Sequence, residues 1–427
     1  MTRAIDGTGA RSEWREGWPT VLWTTGAIAS GIGLLTITAS YFVKPLATAT
    51  GWSRADIAFG TTLAQFCLAA ILPFIGAMAD RTGIRRVAIT SAVVYGGLCL
   101  AMAVVPATLP VYYTMLVLLA LTASGTSTVV LAQLVAERFQ RWRGTVLGIA
   151  ISGPAILLIP LAPLMVMATN EISWRAGYLI LGVISLVVGL PSIVLAVRGR
   201  PSKAVAPVNT HVQLADGASN EGLSLGQAFR TVDYWMLIAA SLISTLPLGG
   251  FLHQLSALLS DKGLSVGAIG WLASVFVTMI FVGRSGAGLM LDMLSPAFTV
   301  ILVMFGAAAG ALILLVPDTS ILVLTLAVGL IGSAMGSEGS IQGYFIARTF
   351  GMKSFSAIFG TFGTCTVLGF GAGALIFGKL YDLKGDYDLV MILCAAAFAI
   401  AGALFGGVGA RRPKIAAASK LPLAEVD

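Results

Sequence analysis

The sequence predicts an all-α membrane protein in which twelve transmembrane helices form two pseudo-symmetric six-helix bundles. The first observation behind this prediction is composition: 57% of the residues are hydrophobic, 11% are charged, and the mean hydropathy is +0.92. Soluble domains of similar length do not have these values. The second observation is a series of apolar runs long enough to cross a bilayer, which takes about 20 residues. The third is an internal repeat.

The apolar runs and the polar stretches between them define the predicted organisation. A cytosolic tail over 1–19 precedes an N-terminal bundle over 20–197. A polar cytosolic linker over 198–231 leads to a C-terminal bundle over 232–408 and a second cytosolic tail over 409–427. The predicted spans are Thr20 to Val43, Ile57 to Ala79, Val87 to Val105, Val111 to Val135, Thr145 to Ala168, Ala176 to Val197, Val232 to Leu259, Ile269 to Leu291, Ala297 to Val316, Ile321 to Ile346, Phe355 to Leu380 and Leu389 to Val408.

The repeat relates landmarks of the two halves by one constant offset. Ser53 and Ser265, which open the second and eighth spans, are separated by the same number of positions as Asp80 and Asp292. An offset preserved from helix starts to cytosolic loops predicts two bundles of equal topology, related by an axis along the membrane normal.

The basic charge indicates orientation rather than a nucleic-acid partner. Most of the 26 Lys and Arg residues fall in the tails and in the loops that this topology places inside the cell. That asymmetry predicts a multi-pass protein of the cell (inner) membrane with both termini cytoplasmic. We expect the bilayer to be its surroundings and the chain to be a monomer.

No motif for enzymatic chemistry is present in the sequence. It has no nucleotide-binding loop and no HExxH motif, and only two histidines are available for a catalytic triad. We therefore expect no catalytic residue, no cofactor and no metal. The four cysteines lie in apolar runs without CxxC spacing, at Cys67, Cys99, Cys365 and Cys394.

Arg284 is the residue around which the functional prediction is built. It lies inside the apolar span Ile269 to Leu291, about two helical turns before Asp292. A cation deep in a span costs at least ~2.5 to 3.5 kcal/mol on insertion scales. We expect it to mark a ligand or ion path, and the alternative is a structural arginine bound to helix-end carbonyls.

The loop after the second span carries a glycine turn, an aspartate and three arginines: Gly76, Asp80, Arg81, Gly83, Arg85 and Arg86. Such groups at the inner surface can latch neighbouring helix ends in one conformation. The loop resembles the signature loop of the major facilitator superfamily, which implies that fold and alternating access. Asp292 belongs to a partial second copy, and Arg138 and Arg348 flank corresponding inner loops. The alternative is that the arginines only mark the cytosolic side.

A narrower resemblance lies around the first external loop, in Tyr41 to Leu46 and Gly51 to Ile57. These stretches resemble the monocarboxylate porter family, which includes lactate carriers and the oxalate:formate antiporter. The resemblance implies that Lys44 serves proton or anion entry and that Arg284 binds a carboxylate. A guanidinium suits this task because it can hold a carboxylate through two parallel hydrogen bonds. For Lys44, a snorkelling anchor is the alternative.

The chain departs from that family at two positions. Ile280 stands where the lactate carriers have an aspartate one turn before the arginine, and Phe359 to Leu375 lacks the second buried cation of the oxalate carrier. One buried arginine favours a single carboxylate.

Glu338 is the predicted proton carrier, at a depth in the tenth span similar to that of Arg284 in the eighth. A buried carboxylate can pair with the arginine, or take a proton when substrate occupies the arginine. The alternative is a permanent structural ion pair. His253 is a second candidate for proton coupling, and further substrate-binding candidates are Tyr41, Gln133 and Gln342.

These observations predict a secondary transporter of a small organic monocarboxylate, working by proton symport or anion exchange. The partners are the carboxylate and protons. A proton-coupled exporter of amphiphilic or cationic compounds, with Glu338 as the binding anion, is the alternative. A transporter-like sensor is a third reading, and the sequence shows no signalling domain to support it.

Overall fold

The computed structural model describes residues 7–136, 143–197, 222–351 and 353–410. Within these ranges the backbone is helical, and its one β-type pairing is an isolated bridge between Gly222 and Gly351. A helix satisfies its own backbone hydrogen bonds, and the hydrocarbon of a bilayer offers no partners that could replace them. The predicted all-α class is confirmed.

The first compact unit comprises Met1–Gln213 and Leu252–Ser274. An apolar cluster that includes Ala27, Ala92 and Leu131 forms part of its core. A 3₁₀ turn occupies Ser124–Thr126, and π-helical segments occupy Ala168–Ile172 and Ser185–Gly189. Its α-helices are α1 (Gly7–Ala29), α2 (Ile32–Thr38), α3 (Ser40–Thr50), α4 (Arg54–Thr82), α5 (Ile84–Met102), α6 (Leu109–Ala123), α7 (Thr128–Ala136), α8 (Arg143–Ile151), α9 (Gly153–Met167), α10 (Trp174–Ile184) and α11 (Leu190–Ala196).

The second compact unit comprises Leu214–Phe251 and Val275–Asp427. Two long helices contribute residues to both units, α13 (Val232–Asp261) and α14 (Val266–Met293). The remaining helices belong to the second unit alone, and they are α12 (Leu225–Ala228), α15 (Pro296–Ile313), α16 (Ile321–Phe350), α17 (Phe355–Lys384) and α18 (Asp388–Gly409). Most of the predicted linker lies outside the described residues, so the domain boundaries stay a prediction.

Eleven helices of the described chain are long and apolar enough to cross a membrane, and a bent pair brings the number to twelve. The bent pair is the first predicted span, where α1 and α2 meet at 47°. The bend falls at Ser30 and Gly31, and a Cβ on Gly31 would collide with the Thr126 side chain. The span therefore breaks where another helix approaches its backbone.

Large apolar side chains are exposed on many of these helices. Leu289, Leu322 and Ile392 are 64%, 76% and 52% exposed. Surfaces of this kind suit lipid, which is as apolar as the side chains themselves. Glu338 and Gln342, which are described below, are by contrast buried in the protein.

Candidate transport site

Arg284 lies in the interior of α14, in the part that belongs to the second unit. The residue is partly buried. Among the described residues its guanidinium has no hydrogen-bond or ion-pair partner. No described carbonyl accepts from it, as a structural arginine at a helix end would require, and its role stays a prediction. A cation in this position has an uncompensated desolvation cost that an anion could offset.

The backbone around Arg284 is held closely by α16. Ser340 Oγ donates a hydrogen bond to the Arg284 carbonyl at 3.2 Å, and Ser337 Oγ donates to the Gly283 carbonyl at 3.1 Å. A Cβ built on Gly336 would lie 2.9 Å from the Arg284 nitrogen. The two helices can come this close because small residues line their crossing. Arg284 is thus fixed at the level of residues 336–340.

Glu338 lies on the same turns of α16 and is 5% exposed. Its Oε1 accepts a hydrogen bond from Gln342 Nε2 at 3.0 Å. The same nitrogen also donates towards Thr366 Oγ1 at 3.2 Å and towards Ser241 Oγ. An amide nitrogen has two hydrogens, so three acceptors around it cannot all be fully satisfied at once. Glu338 therefore has at most one donor from this cluster.

Arg284 and Glu338 come to the same level on neighbouring helices, as their depths in the two spans predicted. They do not form an ion pair within the described structure. The alternative of a permanent structural pair is therefore not what this conformation contains. Two opposite charges remain available in one unit, each short of partners. Gln342 contacts Glu338, and its predicted role in substrate binding stays a prediction.

Lys44 lies in the first unit and is already occupied. Its Nζ is 3.2 Å from Asp261 Oδ1 and donates to Ser260 Oγ at 2.8 Å. Asp261 Oδ2 also binds Arg54 Nη2 at 2.6 Å, and the Arg54 side chain is 8% exposed. Two cations thus share one carboxylate at the end of α13. Sequence reasoning missed Asp261 because nothing in one sequence pairs positions more than 200 residues apart.

The remaining predicted ligand-binding residues are dispersed. Tyr41 is buried in α3, and the side chain of Gln133 lies outside the described part of the structure. His253 lines a cavity of the first unit, together with Gln65 and the missed residues Thr36 and Thr61. Within the described residues, no three His, Cys, Asp or Glu side chains are grouped as metal ligands would be.

The predicted latch is visible only in part. Gly83 separates α4 from α5 with φ +93°, a conformation that side chains with a Cβ rarely adopt. Arg81, Arg85 and Arg86 are exposed, Gly76 is inside α4, and Arg348 has a buried Nη1 without a described partner. Arg138 and the side chains of Asp80 and Asp292 lie outside the described residues. A latching role for this set stays a prediction.

Comparison with known proteins identifies a family for this chain. A family model described as Major Facilitator Superfamily matches residues 24–366, from within α1 to within α17. A search of curated protein sequences found no match.

Proposed function

The chain belongs to the major facilitator superfamily of membrane transporters, and from this premise we propose that it carries a small organic monocarboxylate by alternating access. The coupling is proton symport or exchange with another anion. We further propose a monomer in the cell (inner) membrane with both termini cytoplasmic, as the distribution of Lys and Arg favours.

The observation that supports this proposal most is the uncompensated guanidinium of Arg284. Arginine keeps its charge at all accessible pH values, so it cannot escape the cost of burial by losing a proton. A carboxylate substrate removes that cost and accepts two parallel hydrogen bonds from the planar guanidinium. No carboxylate of the described residues has to be displaced from Arg284 before the substrate binds there. The substrate thus supplies the partner that the described residues do not provide.

Glu338 is the proposed proton carrier. A buried carboxylate with one amide donor is stabilised either by a cation or by a proton. When substrate occupies Arg284, no cation is left for Glu338, so the proton becomes the way to neutralise it. Proton and substrate would then move together. His253 is a second candidate, and within the described structure no carboxylate lies within ion-pair distance of it.

Lys44 is proposed to guide anions towards the site. Its cluster with Arg54 and Asp261 carries two positive charges and one negative charge. The remaining positive charge attracts anions at the end of the helices that we predict to face outside. Tyr41, Gln133 and Gln342 are retained as candidate hydrogen-bonding residues for the substrate.

The experiment for Arg284 is uptake by purified protein in liposomes. Labelled lactate, pyruvate, formate, oxalate and an aromatic acid are tested with and without an inward proton gradient. Arg284→Gln and Arg284→Lys are compared with the parent. We expect Gln to abolish saturable uptake, and Lys to weaken it because an ammonium cannot form the two-pronged contact.

Arg175→Gln is the matched control for loss of a positive charge. The Arg175 guanidinium carbon lies 4.3 Å from the centroid of the Trp174 ring, and Arg175 donates to the Val105 carbonyl, so these contacts include no candidate site residue. Uptake should survive this change. Normal saturable uptake by Arg284→Gln would contradict the assignment of the carboxylate site.

The role of Glu338 is tested by separating accumulation from exchange. Glu338→Gln keeps the shape of the side chain but cannot carry a proton. We expect it to lose gradient-driven accumulation and to keep exchange of labelled for unlabelled substrate. Glu171→Gln, at an exposed carboxylate, is the control. Retained accumulation in Glu338→Gln would rule out the proton role.

A second function is favoured by one feature of the same cluster. Glu338 has no described cation partner, so it could bind a cationic or amphiphilic compound for export in exchange for a proton. This function predicts dye efflux that Glu338→Gln abolishes and Arg284→Gln leaves intact. Carboxylate transport predicts that the arginine variant is the more damaging of the two.

A further inference from the structure

We propose that α13, α16 and α17 form a binding site for a sodium ion within the second unit. Three side-chain oxygens from these helices converge on one atom, the Gln342 amide nitrogen. They are Ser241 Oγ, Glu338 Oε1 at 3.0 Å and Thr366 Oγ1 at 3.2 Å. All four residues belong to one compact unit. Several oxygens around one buried point are the surroundings that a hard cation requires.

The Gln342 amide cannot serve all three oxygens as a donor. Its nitrogen has two hydrogens, so at least one of the three acceptors stays without a full hydrogen bond. The amide oxygen accepts from no donor among the described residues. Half a turn of the amide brings this oxygen to the place of the nitrogen. It then joins the other three oxygens as a fourth ligand for a cation.

The hydroxyls of Ser241 and Thr366 face this amide instead of a carbonyl of their own helix. Neighbouring threonines behave differently. Thr245 on α13 donates to the carbonyl one turn earlier at 2.9 Å, and Thr364 on α17 does so at 3.2 Å. Within the described residues, Ser241 and Thr366 make no such bond. Their oxygens are therefore available to a cation.

Charge and burial favour a monovalent ion. Ser241, Gln342 and Glu338 are all buried, and Glu338 has no cation within ion-pair distance among the described residues. A buried ionised carboxylate needs a compensating positive charge, which one sodium ion supplies in full. Calcium would leave one positive charge in excess in the same buried space. Zinc prefers nitrogen and sulfur ligands, and the three oxygens around the amide provide neither.

The ion would act on transport as a proton does, and this step alone rests on the proposed function. Bound sodium neutralises Glu338, so the carboxylate no longer repels an anion at Arg284. Sodium and substrate would then each strengthen binding of the other. Binding of sodium itself requires no substrate. It can therefore be measured without any carboxylic acid, which separates this inference from the proposed function.

The test is equilibrium dialysis of radioactive sodium against the purified full-length protein in detergent. No acid is present, and choline chloride keeps the ionic strength constant. We expect saturable binding by the parent. Loss of a partner outside the ligand shell of a metal already weakens binding about 10- to 100-fold. Ser241→Ala and Thr366→Val each remove a direct ligand, so each should weaken binding at least about tenfold. Glu338→Gln should abolish it, because the variant removes the charge that balances the ion.

Ser244→Ala and Thr364→Val are the matched controls. Each removes a hydroxyl of the same two helices that donates to a carbonyl of its own helix, at 3.0 and 3.2 Å. Both variants should bind sodium like the parent. In choline chloride, Ser241→Ala and Thr366→Val should melt close to the parent, because the amide nitrogen keeps an acceptor for each of its two hydrogens. A cluster that serves folding alone would show lower melting temperatures and unchanged sodium binding.

The inference is overturned by absence of saturable sodium binding to the parent, or by parent-like binding in Ser241→Ala and Thr366→Val. Displacement of sodium by equimolar calcium would overturn it as well. Arg284→Gln removes a positive charge at the level of Glu338, so it should bind sodium at least as tightly as the parent, and loss of binding there would contradict the site. Sodium binding without uptake of any acid would refute the proposed function and leave this inference standing. Acid uptake without sodium binding would refute this inference alone.

Discussion

The crossing of α14 and α16 makes Gly336→Ala a sharp test of how Arg284 is positioned. A Cβ at Gly336 would lie 2.9 Å from the Arg284 nitrogen and nearer still to the Ile280 carbonyl oxygen. Both atoms belong to the backbone of α14, so a rotamer change cannot relieve the contact. One methyl group must instead push the two helices apart at the level of the arginine.

The magnitude follows from two opposing effects. Overpacking a close contact costs about 1 to 3 kcal/mol. Replacing Gly by Ala inside a helix favours the folded state by up to about 1 kcal/mol. Gly339 lies one turn further on the same helix and has no atom within 4 Å of its Cβ position. Ala at Gly339 therefore gains the second effect without the first. The helix effect is common to both variants, so they should differ by the overpacking cost alone, about 1 to 3 kcal/mol.

Thermal unfolding of the purified protein in detergent measures this difference directly. Gly336→Ala should melt below the parent, and Gly339→Ala at or above it. Gly336→Ala should also reduce transport of whichever acid the parent carries, because the displaced backbone carries Arg284. Equal melting temperatures for the two variants would show that the helices do not cross as closely as described.

Three further predictions concern the first unit. Asp261→Asn should destabilise the protein by about 1 to 3 kcal/mol, since it leaves the nearly buried Arg54 without its carboxylate; chemical unfolding should show this. Lys44→Met should lower the free energy of unfolding by less than about 1 kcal/mol, because the Lys44 side chain is 35% exposed. A larger loss of stability than in Asp261→Asn would contradict this reasoning. Gly83→Ala should destabilise by about 1 to 3 kcal/mol through its positive φ, and a melting temperature equal to that of the parent would show that the turn relaxes.

The class and the number of spans could be predicted from the sequence because bilayer thickness sets the length of an apolar run locally. The break in the first span could not. The side chain of Thr126 lies against this break, and the local trace in the sequence is the pair Ser30 and Gly31. Other serine and glycine pairs occur in this glycine-rich chain without a comparable break.

The charged residues of the candidate site could be predicted from the sequence, but the residues that contact them could not. A charge inside an apolar run is conspicuous, so Arg284 and Glu338 could be found one by one. Ser241 contacts Gln342 across 101 positions, and only the rotation of each helix about its axis decides that contact. The glycines of α16 illustrate the same limit. Gly336 and Gly339 look equivalent in the sequence, yet one is tightly packed and the other is open.

The separation of Arg284 from Glu338 bears on what coupling would require. Were the two groups paired, substrate would have to break an ion pair before binding, and much of its binding energy would be lost. The two groups are unpaired and lie in one unit, so Arg284 attracts an incoming anion and ionised Glu338 repels it. Protonating Glu338 removes the repulsive charge, so proton and carboxylate would each strengthen binding of the other, as linkage requires. The fully loaded site is then electrically neutral, which lowers the cost of carrying it through a low-dielectric bilayer. On the proposed function, symport therefore follows from charge balance without a direct contact between the two residues.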